Sequence, residues 1–103
     1  MAEELMQEIQ RKLLAGMYVA TAHFLLRCRE RGLDVGEVVQ ETARGRIIED
    51  YAEDPLGHSC LVSAQCGGYA LHVIVGVAYI EIRMITVYRP DPEEWTETAD
   101  RRR

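Results

Sequence analysis

The residues of this 103-residue chain with most to offer chemically are its three histidines and its arginines, which make up 11 of the 12 basic side chains. His23, Arg27, Glu30 and Arg31 recur at i, i+4, i+7 and i+8, the spacing of one stripe along a helix. A histidine titrates near neutrality and moves protons, and the planar arginine fork holds phosphate or carboxylate oxygens in pairs. A second histidine, His72, sits inside the apolar run Leu71–Val75, and the last apolar run carries Arg83, Thr86, Tyr88 and Arg89. Imidazole or phenol for proton transfer, with arginine against developing negative charge, is a set suited to phosphodiester chemistry. His72, Tyr88 and His23 are therefore the candidate catalytic residues, and Arg27, Arg31, Arg83 and Arg89 the candidate phosphate ligands.

The elements that must position these groups follow from periodicity. Leu5, Ile9 and Leu13 predict an amphipathic helix over 2–15 with a stop at Gly16. Thr21 caps a second helix over Ala22–Arg31 that ends at Gly32, and Asp34 with Glu37 opens a third over Val35–Ala43. On the second helix Ala22, Phe24, Leu25, Leu26 and Cys28 form a wide apolar arc. The period then changes to two. Strands are expected at Arg46–Tyr51, His58–Gln65, Tyr69–Val77 and Glu81–Arg89, before Pro90 and Pro92 end the sheet.

Gly67-Gly68 is a two-residue hairpin signal that pairs Cys66 with Tyr69, Ser63 with His72, Leu61 with Ile74 and Cys60 with Val75. Leu71, Val73 and Val75 then face the helices and His72 the opposite side. The turn at Ala78–Ile80 has no such signal, so His72 neighbours either Thr86 or Val87. The first register groups His72 with Thr86 and Tyr88, and the second groups it with Arg83 and Arg89. The expected fold class is α+β, with N-terminal helices packed on a four-stranded antiparallel sheet. It forms a single domain over 1–95, followed by a polar tail, 96–103, expected to fray.

Composition narrows the function. The net charge of -5 argues against a broad basic field for nucleic acid. Much of that charge comes from two acidic clusters in or beside loops, Glu49–Asp54 and Asp91–Glu97, which leaves room for a small arginine-lined site. Three cysteines without a C-x-x-C spacing fit free thiols in a cytoplasmic protein. No apolar run is long enough to span a membrane. His58 and Cys60 lie at i, i+2 on one strand face, where Cys66 or His23 can be imagined to join them. Structural zinc sites show tighter paired spacings, so no metal and no cofactor is expected.

The segments TAHFLLRCRERGL (21–33), RIIEDY (46–51), LHVIV (71–75) and ITVYRPDPEEW (85–95) resemble an uncharacterised prokaryotic family of small domains. Its members read H-A-x-x-R-x-x-E-R-G-I, G-x-I-I-E-x-Y, L-H-V-V-V and T-V-Y-x-P-D-P-x-x-W in that order. The resemblance covers residues 17–95 and matches at His23, Arg27, Glu30, Arg31, Gly32, His72, Thr86, Tyr88, Pro90, Asp91 and Trp95. Phe24 replaces a usual alanine, Cys28 stands where methionine is common, and the turn at Ala78–Ile80 is short. Such domains are grouped near the RelE-like and BrnT-like toxins, which share a helix-then-sheet layout and of which many cleave messenger RNA. The resemblance thus implies an RNA substrate and a cognate antitoxin. Two functions follow: a non-catalytic protein-binding module, slightly favoured by the acidic charge, and a RelE-like ribonuclease with a His/Arg/Tyr site. The first amphipathic helix would either complete the core or pair with a second copy in a homodimer.

Overall fold

Two side-chain caps set the helical half. Thr21 Oγ1 accepts the Phe24 amide at 3.1 Å and Asp34 Oδ2 accepts the Glu37 amide at 2.9 Å, each satisfying a donor that the first helical turn leaves open. In the computed structural model, which describes residues 2–96 and 99–102, these caps open α2 (Ala22–Glu30) and α3 (Val35–Ala43). They follow α1 (Ala2–Leu14) and a short strand, β1 (Tyr18–Ala20). The sheet is completed by β2 (Arg46–Tyr51), β3 (Ser59–Cys66), β4 (Tyr69–Gly76) and β5 (Ile82–Tyr88).

The strand order is β1-β5-β4-β3-β2, so the sheet has five strands and is mixed, not four-stranded and antiparallel. The extra strand is the Met17–Ala20 link, which runs parallel to β5 with Val19 opposite Arg83. Three residues carry too little periodicity to announce a strand. The β3–β4 hairpin keeps the expected register throughout, from Cys66↔Tyr69 to Ser59↔Gly76. Its turn works because Gly67 and Gly68 both take positive φ, 57° and 85°, as a twisted two-residue hairpin demands.

The β4–β5 register differs from both expectations: His72 pairs with Tyr88, and Ile74 with Thr86. A bulge follows, because Val75 pairs with Met84 and Gly76 with Arg83, leaving Ile85 as the extra residue. The bulge reverses the alternation, so Arg83 lies on the same face as Thr86, Tyr88 and His72. The two alternative groupings are thereby partly merged, and no turn glycine was needed to do it.

All three helices pack on one face. Ile9 and Leu13 of α1, Phe24 and Cys28 of α2 and Val38 and Val39 of α3 meet Cys60, Val62, Leu71, Val73, Val75, Met84 and Val87 in one core. The apolar stripe of α1 is consumed within the chain, against α3 and the sheet, and so completes the core. The apolar arc of α2 is narrower than expected, since Leu25 and Leu26 are 46% and 49% exposed. Gly45 marks the tightest joint between the halves. A Cβ there would stand 2.3 Å from the carbonyl oxygen of Ser63, so only glycine lets β2 leave α3 alongside β3.

A candidate binding face on the second side of the sheet

The face turned away from the helices is divided in two. One half is covered by the chain's own end. After β5, Asp91 turns the chain by accepting the amides of Glu93, Glu94 and Trp95, and Trp95 bridges to Arg102 in a short antiparallel strap. Residues 99–102 thus lie against the sheet, contrary to the expected fraying; residues 97, 98 and 103 of the expected tail fall outside the described residues.

His72 stands under this strap with none of its surface exposed. Its Nε2–H donates to the carbonyl oxygen of Ala99 at 2.6 Å, and the Trp95 ring meets it edge-on at 4.3 Å. The Tyr88 ring lies 5.5 Å away on the neighbouring strand. Nδ1 has no hydrogen-bond partner among the described residues. Burial pushes the imidazole pKa down from 6.5, so His72 is held neutral. Burial also pushes the Tyr88 phenol up.

Arg102 anchors the strap. Its guanidinium donates to both carboxylate oxygens of Glu49, at 2.7 and 3.1 Å, and lies over the Trp95 ring. The bond from Arg102, followed by one from the Tyr51 hydroxyl, holds the Glu49 carboxyl below its usual range, although partial burial opposes them. Burial and the Glu49 carboxylate push Tyr51 up to about 12. Arg46 pairs with Asp100 on the same side.

Beyond the strap the face is open. A cleft of about 640 Å³ is lined by Asp50, Tyr51, Glu53, Asp54, Ser59 and Ile74. Ile74 and Tyr51 line it, with the acidic residues Glu53 and Asp54 beside them, while the Asp50 carboxylate turns to His58 and Cys60 on the helix side. Asp54 is held in place by its own loop, accepting the Leu56 amide at 2.9 Å and the Ser59 hydroxyl at 2.8 Å. These bonds lower its pKa and keep it charged.

The other candidate residues are spread along the β5 side. His23, exposed at the start of α2, shares a 3.0 Å hydrogen bond with the Thr86 hydroxyl. Arg27, one turn on, is paired with Glu30, and Arg31 is exposed at the helix end. Arg83 lies over the Tyr79 ring at 4.1 Å and Arg89 over the Tyr69 ring at 3.9 Å. Arg89 therefore turns to the opposite side from His72. The structure brings His72 and Tyr88 together, and His23 to Thr86, but it does not gather the four arginines around either histidine.

The three cysteines are free and buried. Burial pushes Cys66 up to about 11, and burial with the Asp50 carboxylate pushes Cys60 up to about 12. Neither Cys66 nor His23 joins His58 and Cys60. Asp50 does, from the adjacent strand: His58 Nε2 contacts Asp50 Oδ1, and Cys60 Sγ donates to the same oxygen at 3.4 Å.

A family model matches residues 20–89, from the end of β1 through β5. The chain belongs to the DUF4258 family. That family is described as a domain of unknown function. No curated protein and no solved structure matches the chain significantly. Within this DUF4258 domain the matched region carries all three histidines and the cleft, while α1 and the strap lie outside it. No helix among the described residues is long and apolar enough to cross a membrane.

Sequence reasoning missed Tyr51, Glu53 and Asp54 as site residues, because they looked like a strand end and an acidic loop. The signal was present in the composition of that loop: Glu49–Asp54 holds four acidic residues, and two of them, Glu53 and Asp54, line the cleft with Ile74.

Proposed function

We propose that this DUF4258 domain is a non-catalytic protein-binding module, and that it takes a basic segment of its partner on the uncovered half of the second sheet face. The observation that carries this is the cleft, where Ile74 and Tyr51 are flanked by the acidic residues Glu53 and Asp54. An aliphatic or aromatic anchor fits the floor, and arginine or lysine beside it meets the rim. A carboxylate rim repels a phosphodiester. The wholly buried, neutral His72, with its Nε2 committed to Ala99, supports a structural role for that residue. The cleft predicts that a synthetic peptide alternating arginine and leucine shifts the amide resonances of Tyr51, Ser59 and Ile74. A peptide with glutamate in place of arginine should not. Equal response to both peptides, or shifts elsewhere only, would contradict the assignment.

The RelE-like ribonuclease is the alternative, supported by the exposed His23 bound to Thr86. There His23 moves the proton of the attacking 2′-hydroxyl and Arg27, one turn along α2, leaves Glu30 to hold the phosphate. A cognate antitoxin would then be the protein partner. Cleavage of a single-stranded RNA oligonucleotide that disappears in His23→Ala favours this enzyme over the binding module. Cleavage that persists in His23→Ala rules out this site.

A further inference from the structure

We propose that Asp50, His58 and Cys60 form a zinc-binding site that pins the loop between β2 and β3. Asp50 lies on β2, Cys60 lies opposite it on β3, and His58 precedes β3 on the same face as Cys60. Their ligand atoms (Asp50 Oδ1, His58 Nε2 and Cys60 Sγ) all lie within 4.8 Å of one another. That spread suits a single ion with bonds of about 2.0–2.3 Å to nitrogen, oxygen and sulfur. His58 and Cys60 both aim at one carboxylate oxygen, so once their protons have left an ion entering between them meets three converging lone pairs.

The donor set selects the metal. A thiolate and an imidazole disfavour magnesium and calcium, which take oxygen ligands, and an N/O/S set suits zinc. Cys60 is buried behind the site while Asp50 is exposed and His58 half-buried, so the ion enters from solvent and a water completes a tetrahedron. Binding releases the Cys60 thiol proton to solvent. A neutral His58 moves its proton from Nε2 to Nδ1 and frees Nε2 for the ion.

The consequence is local order. The segment from Ala52 to Gly57 carries Glu53 and Asp54, the outer rim of the acidic cleft, and an ion held by Asp50 and His58 closes that segment at both ends. The expectation of no metal rested on spacing along one strand. The third ligand comes across the sheet from β2, where no linear motif records it.

The test is titration of the chelator-stripped protein with zinc and with cobalt(II). One ion per chain is expected, and the cobalt form should show a thiolate charge-transfer band with the strong visible absorption of tetrahedral cobalt. Cys60→Ala should abolish the band. His58→Ala and Asp50→Asn, both at the surface, should weaken binding about tenfold or more. Cys66→Ala, away from the site, should leave binding and band intact. Circular dichroism of each apo variant separates loss of a ligand from loss of fold. If Cys60→Ala does not fold, His58→Ala carries the decision. Absence of stoichiometric binding, a band that persists without Cys60, or affinity unchanged in His58→Ala overturns the proposal.

Discussion

His72, in the middle of β4, donates its Nε2–H to the carbonyl oxygen of Ala99 across 2.6 Å and so ties the sheet to a residue 27 positions later. The carbonyl is aimed by an unusual backbone, since Ala99 holds φ at 58°, a left-handed conformation that costs a residue with a Cβ about 1 kcal/mol or more. The strap therefore has to be held by its neighbours. Trp95, buried and edge-on to His72, packs the strap onto the sheet. Trp95→Ala is expected to lower stability by about 3 kcal/mol in urea unfolding followed by circular dichroism. An unchanged midpoint would mean that the strap is not packed on the sheet.

The same contact makes stability depend on pH in a stated direction. Burial holds the folded His72 pKa below 6.5, so below that pH the unfolded chain binds a proton that the folded chain refuses. The contribution is complete above 6.5 and is lost progressively as pH falls, at a slope of at most about 1.4 kcal/mol per unit. Glu49, held low by Arg102, adds a loss only below its ordinary value of 4.5. Between these limits His72→Gln, which keeps a donor for Ala99, should flatten the decline seen in the natural chain. Parallel stability curves for the two proteins would remove His72 as the cause.

Gly45 gives a prediction at the joint between helices and sheet. With the Ser63 carbonyl oxygen 2.3 Å from any Cβ, Gly45→Ala has to push backbone against backbone. A loss at the upper end of about 1–3 kcal/mol is expected, read from the urea midpoint. A neutral substitution would show that β2 can move away from β3 without cost.

How much of this was legible follows from where the constraints act. The caps at Thr21 and Asp34 and the Gly67-Gly68 turn are local, and each appears in the structure as the spacing predicts. The β4–β5 register was not legible, because the bulge at Ile85 carries no local mark in the sequence. Tyr18–Ala20 is too short for a period of two to declare itself, and its parallel pairing with β5 depends on where α1 ends. The strap escaped because its residues after Trp95 are polar and bind through backbone and ion pairs, not through an apolar pattern. Of the two registers left open, one grouped His72 with Tyr88 as the structure does, although neither had the observed pairing, and composition gave no sign that Trp95 and Ala99 would bury His72.

The claim on which the functional reading turns is that Ile74 and the carboxylate rim form one binding surface. Calorimetric titration of the arginine–leucine peptide into the natural chain and into Ile74→Lys tests it most directly, with urea midpoints measured for both. Affinity should fall at least about tenfold, equivalent to about 1.4 kcal/mol, while the midpoint stays near that of the natural chain. Equal affinity in the two proteins would contradict it.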